Sequence, residues 1–332
     1  MKKIYLILII IILINFFNLS IIAESTIKEF KMALVTTPTQ PMTIATHKFA
    51  DLVNELTGGK VKINVFDSGV LGPEKEIFNS LQIGAIELVA VNYLRPAEAY
   101  KPLSVFQAPC LFKDTDHCLR VVTGPIAKEL NNELTKSAGI RVLYTIYLGK
   151  TYFTSNKPIY KISDFSGLRF RSGAVTELFS AECRALNLTP ITIPWGDLYM
   201  ALQTNIVDMQ ENPLPSIISA KLYQVQKYVM DTGIRHYVSV GMINEDLFQS
   251  LDSEIQNILL EVGRIVTFYN NYLILEQESA AKDLLKEEGM VFIAEEDGLE
   301  NNKIREAMMK QVWPQFIEEW GGQKLIDRIM SE

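Results

Sequence analysis

Arg169 and Arg171 stand two residues apart in a segment, residues 164–173, that reads DFSGLRFRSG. A guanidinium is a planar fork of donors that meets a carboxylate through two parallel hydrogen bonds. An arginine ending a strand is therefore equipped to hold an organic acid. Its more ordinary role is a surface ion pair with an aspartate or glutamate, and spacing alone favours that role. A second dense stretch, residues 194–213, reads PWGDLYMALQTNIVDMQENP and carries Trp195, Asp208, Glu211 and Asn212. Asp208 and Glu211 could form a carboxylate pair for acid–base work, but no serine or cysteine nucleophile has an evident base. His47, His117 and His236 are scattered without metal-ligand spacing, and no glycine-rich phosphate loop occurs. Glu211 is expected to orient Arg171 or to cap a turn. The chemistry these residues suit is binding, with no metal and no cofactor.

The elements that must position them follow from periodicity. Gly167 permits a tight bend, and Leu168 and Phe170 alternate with the two arginines. That alternation predicts a strand over 168–171 with both arginines on one face and at its C-terminal end, where ligands of open α/β sheets usually collect. Helices are expected over 175–186 and 197–203. Upstream, Phe30, Met32 and Leu34 alternate, then Ala45, Phe49, Leu52, Val53 and Leu56 recur at helical spacing before Gly58. Val61, Ile63 and Val65 alternate again, residues 74–83 read as a helix, and 86–91 as a buried strand. Strands alternating with helices predict an α/β fold.

Near Gly149 the pattern changes. Residues 141–148 and 152–155 read as two strands, and a new α/β series begins. This predicts a crossing between lobes, with residues 24–148 and 238–275 in lobe one and residues 149–237 and 276–332 in lobe two. Residues 252–288 carry a helical pattern without proline, its apolar stripe formed by Ile255, Ile258, Leu259, Val262, Val266, Tyr269 and Leu273. Either two helices break near Gly263 or Asn270–Asn271, or one helix of ~55 Å lies across both lobes with a ligand cleft between them.

Composition agrees with two folded lobes: 332 residues, 48% hydrophobic and 21% charged. The net charge of -7 argues against nucleic acid as a partner. Lys2 and Lys3 precede an apolar run that ends near Ala23, which predicts a secretory signal over residues 1–23 and a periplasmic destination. The alternative is a retained membrane anchor, against which Asn15 and Asn18 weigh. The odd cysteine count (Cys110, Cys118 and Cys183) leaves at least one free thiol, and spacing leaves a Cys110–Cys118 bridge open.

Two of these segments resemble the solute-binding proteins of tripartite ATP-independent periplasmic (TRAP) transporters, of the C4-dicarboxylate/sialate type. Asp164, Gly167, Arg169 and Arg171 match the family's strand pattern. Asp197, Tyr199, Ala201, Leu202, Gln203, Thr204, Val207, Asp208, Gln210, Glu211 and Asn212 match its second pattern. The likeness extends over the mature chain, including SGVLG at 68–72 and residues 225–227. It implies a two-lobed periplasmic binding protein fold that captures a small carboxylate and delivers it to integral membrane subunits, as a monomer and without catalysis. By the same resemblance Arg171 salt-bridges the ligand carboxylate and Asn212 hydrogen-bonds it. Arg95, Asn92 and Glu74 contribute from lobe one, and Trp195 covers the ligand or stands at the rim. Thr151 departs from the pattern where sialate-binding members carry a second arginine, which leaves Lys150 as the candidate second cation. Met209 replaces a usual glycine, and Arg235 is an additional cation. A receptor for an ATP-driven transporter or a sensor is the competing reading.

Overall fold

The computed structural model describes residues 27–332 apart from residue 175, so the expected signal over residues 1–23 lies outside the described residues. Ten strands form the framework: β1 (Lys28–Ala33), β2 (Val61–Phe66), β3 (Leu88–Asn92), β4 (Ile140–Ser155), β5 (Arg169–Ser172), β6 (Thr189–Thr192), β7 (Met209–Pro213), β8 (Tyr228–Met230), β9 (His236–Asn244) and β10 (Val291–Ile293). Their order is β2-β1-β3-β9-β4-β7-β5-β6, with β8 joined to β4 and to β10. β1 lies parallel to β2 and β3, whereas β9 runs antiparallel to both β3 and β4. Parallel strands need crossover helices, and Pro41–Leu56 and Glu74–Gln82 supply them. The α/β expectation and most element limits hold within a few residues.

β4 is one continuous strand of 16 residues, where two strands around a glycine were expected. Its first part, to Lys150, pairs with β9, and Thr151–Ser155 pairs with β7. The exchange of partners occurs beside a register shift between Tyr147 and Gly149. Gly149 takes φ +118°, and a Cβ there would stand 3.1 Å from Pro213 Cβ. Only glycine meets both demands without strain.

The long helix is unbroken over Ser253–Glu287. Gly263 is a contact point and not a break: a Cβ on it would lie 2.2 Å from the Leu143 carbonyl oxygen of β4. Asn270 is fully buried, and its amide donates to the Tyr147 carbonyl at 2.7 Å. The helix packs on β4, on Pro41–Leu56 and on Leu214–Ser219. Among the described residues no helix is long and apolar enough to cross a membrane.

The stretch 276–332, expected with lobe two, divides. β10 pairs with β8, but the terminal helix Gln323–Ser331 turns back to residues 113–129. His117 Nε2 pairs with the Ile329 carbonyl at 2.7 Å, Lys113 donates to the Met330 carbonyl, and Arg328 pairs with Glu129. All three cysteines are buried free thiols.

Candidate functional site

The cleft encloses about 780 Å³, within the usual size for a small-molecule site. One wall comes from residues near Thr36, Glu74 and Arg95, the other from β5, β7 and the turn at Trp195. Arg171, Asn212, Arg95, Trp195, Asn92 and Glu74 all line it. Lys150 does not.

Three buried arginines reach the cleft, and their partners differ. Arg95 donates to Glu74 at 3.2 Å and to Glu98 at 2.6 Å. The Glu74 carboxylate also accepts the Asn92 backbone N–H at 3.0 Å, which ties both lobe-one residues to one anion. Arg235 sits between Glu182 (2.6 Å) and Glu211 (3.3 Å) and donates to the Gln107 carbonyl at 2.5 Å. Thr151 Oγ1 donates to the same Glu211 at 2.6 Å. Glu211 therefore serves Arg235 and Thr151, where Arg171 had been expected. Burial pushes the Glu182 carboxyl well above the ordinary carboxylate range, with Arg235 opposing it.

Arg171 has no carboxylate partner among the described residues. Its Nε donates to the Ile193 carbonyl at 2.9 Å, which aims the fork, and its guanidinium carbon lies 5.8 Å from the Trp195 ring centroid. Its two terminal nitrogens make no hydrogen bond to described residues. Burial pushes its pKa down to about 10, so it stays charged at neutral pH while losing hydration. A desolvated charge without a counter-ion is costly, and a carboxylate ligand is the natural relief. Two residues earlier on β5, Arg169 is instead held by Asp208 through 2.9 and 2.8 Å contacts. The strand thus carries one structural arginine and one open to the cleft.

Strand alternation explains Lys150. Consecutive residues of β4 point to opposite faces: Thr151 turns towards Glu211 and Arg235, and Lys150 turns away to Asp231 at 2.7 Å and over the Tyr152 ring. Asn212 donates its amide to Gln210 beside it.

Three lining residues had no sequence signal. Gln40 Oε1 and Gln107 Nε2 are buried without a hydrogen-bond partner among the described residues, and both residues line the cleft. Tyr237, whose hydroxyl pKa is raised by burial and the Glu211 charge, also lines it. Single polar residues in loops or strand starts carry no pattern that would expose them in a sequence. The cleft thus offers one unpaired buried cation, an aromatic beside it, and several neutral donors and acceptors.

The family model described as bacterial extracellular solute-binding protein, family 7, matches residues 32–319. The sialic acid-binding periplasmic protein of Vibrio cholerae is 30% identical over 73% of this chain and 75% of that protein. A TRAP periplasmic solute-binding protein of Desulfovibrio salexigens, solved with orotic acid, is 27% identical. It superposes with a TM-score of 0.84 over 91% of this chain and 97% of that one. A further one from Haemophilus influenzae, solved with L-gulonate, is 25% identical with a TM-score of 0.85, covering 92% and 99%.

Proposed function

The chain belongs to the bacterial extracellular solute-binding protein family 7, and from that premise we propose that it is the receptor of a TRAP transporter for a small, hydroxylated monocarboxylate. The observation that carries this reading is Arg171, the buried cleft arginine that pairs with no carboxylate among the described residues. The ligand carboxylate docks on its two terminal nitrogens, with Trp195 alongside and the Asn212 amide as a further contact. Arg95 and Arg235 are neutralised by four glutamates, and Lys75, the remaining lining cation, is exposed. A second ligand carboxylate would therefore find no free buried cation. Gln40, Gln107 and Tyr237 suit hydroxyl or carbonyl groups instead. Arg95, Asn92 and Glu74 close over the ligand from the other wall, with Arg95 held in place by its carboxylates. Lys150 takes no part, being committed to Asp231.

A ligand shifts an open–closed equilibrium only through contacts made better in the closed form. Capture here amounts to that bias, and the closed receptor is what integral membrane subunits recognise after export through residues 1–23 into the periplasm. Binding without catalysis fits the commitments of the two carboxylates: Asp208 is engaged by Arg169, and Glu211 by Arg235.

The test compares acids that differ only at the far end, erythronate with tartrate and gluconate with glucarate, by thermal shift and calorimetry. The monocarboxylates are expected to bind more tightly. Breaking a desolvated arginine–carboxylate pair costs about 2–5 kcal/mol, so Arg171→Ala is expected to weaken binding at least ~30-fold. Unchanged affinity in that variant overturns the anchor; tighter binding of the dicarboxylates overturns the single-carboxylate reading alone.

A further inference from the structure

The two walls of the cleft carry different chemistry. Arg171, Trp195 and Asn212 stand on the wall built by β5, β7 and the turn at Trp195. On the facing wall several polar groups are already engaged. Arg95 is held by Glu74 and Glu98, Thr36 Oγ1 meets Thr43 Oγ1 at 2.7 Å, and the Asn92 side-chain oxygen accepts the Leu94 N–H at 2.9 Å. Gln40 and Gln107 differ. They are only 3% and 7% exposed, and each buries a side-chain atom that meets no partner among the described residues.

The backbones of both glutamines are fixed although their amides are idle. Gln40 precedes the helix Pro41–Leu56 in an extended conformation, and its side chain does not cap that helix. Its N–H donates to the Thr37 carbonyl at 3.0 Å, and its carbonyl accepts the Ile44 N–H at 3.0 Å. Gln107 ends a 3-10 turn, Lys101–Gln107, that packs on Leu94–Ala99, the helix of Arg95. Its carbonyl is the one held by Arg235. An orphaned buried amide is costly to a folded chain. Fixed at the wall of a cleft, it is a contact prepared for a ligand.

We propose that Gln40 and Gln107 are specificity-determining residues that select ligand hydroxyls, so that an acid is anchored on one wall and recognised on the other. This rests on the reading of Arg171 as the carboxylate anchor. The Gln40 oxygen needs a donor and the Gln107 nitrogen an acceptor, and a hydroxyl is both. An oxo group serves Gln107 alone. A second carboxylate sets its charge against the Gln40 oxygen, and a bare methylene chain leaves both amides unpaired. Closure is driven only by contacts better made in the closed form. An acid without hydroxyls therefore docks on Arg171 but gains little from the facing wall.

Calorimetry with matched acids tests this, gluconate against hexanoate and erythronate against butyrate. The parent is expected to prefer each hydroxy acid. Gln40→Met and Gln107→Met, close to glutamine in size, should each weaken the hydroxy acids about tenfold or more and leave the unsubstituted acids unchanged. Thermal melts of the ligand-free variants should be no lower than the parent's, because methionine removes an orphaned amide and breaks no hydrogen bond. A glutamine with a purely structural role would lower them. A parent indifferent to hydroxyls, a preference that survives both substitutions, or a lower ligand-free melting temperature overturns the proposal. Arg171→Ala should weaken both members of each pair alike. Failure of the anchor thus appears in absolute affinity, and failure of the hydroxyl readers in the ratio between paired acids.

Discussion

The cleft's chemistry is decided by which charges are already balanced. Arg169, Arg171 and Arg235 are alike in sequence, but Asp208 and the Glu182–Glu211 pair absorb two of them and leave Arg171 open. The motif made Arg171 legible. The commitments of its neighbours were not, because Glu182 and Arg235 are 53 residues apart and meet only through the fold. Lys150 was misplaced for a local reason, one step along a strand being a change of face. His236 adds a pH prediction. Burial, then Lys150 and His117, hold its imidazole down to about 4, from an ordinary 6.5, against the nearby Asp114 charge. The Tyr147 hydroxyl lies 2.9 Å from its Nδ1. The unfolded chain binds the proton first, so stability falls as pH drops from 6.5 towards 4. Between pH 7 and pH 5 this group should remove about 2 kcal/mol. Denaturant melts of His236→Gln should show a correspondingly shallower acid loss than the parent; an identical slope would remove His236 from the account.

At the scale of elements, the long helix shows what periodicity can and cannot deliver. Its extent was readable to within a residue at either end, since an apolar stripe without proline has one regular solution. Its continuity through Gly263, one of two readings the pattern allowed and the one that fits a helix spanning both lobes, is what the structure shows. A glycine reads as weakness in a helix, whereas this one is where helix and β4 approach backbone to backbone, at the Leu143 carbonyl. Gly263→Ala separates the two meanings. Helix propensity would make alanine stabilising by about 1 kcal/mol, but the Leu143 carbonyl lies inside the new methyl's reach. Overpacking of this kind typically costs about 1–3 kcal/mol, so the net expectation is a lower melting temperature by scanning calorimetry. A raised one would mean that the helix can lift off the strand freely. β4 itself was read as two strands because Gly149 interrupts its pattern, though a pleated strand can pass through such a residue when its partners change there.

At the scale of the molecule, the terminal helix Gln323–Ser331 is the piece that sequence order misassigned. It buries Leu325, Ile326 and Ile329 and pairs with His117, contacts with no local pattern to announce them. Removing residues 323–332 strips three buried side chains at about 1.5–3 kcal/mol each. That loss is comparable with the whole stability of many proteins. The truncated chain is expected to melt far below the parent or to be insoluble; near-parental melting would make the helix an ornament of the surface. The order β3-β9-β4 has a related effect on timing. Residues 236–244 fill the gap between two strands that end at Asn92 and Ser155, and until they arrive both edges lie unpaired. For a polypeptide leaving the cytoplasm amino end first, the early half cannot lock into its final form while the later half is still inside. A sheet wired in this way keeps any chain threaded amino end first from locking until residues 236–244 have followed.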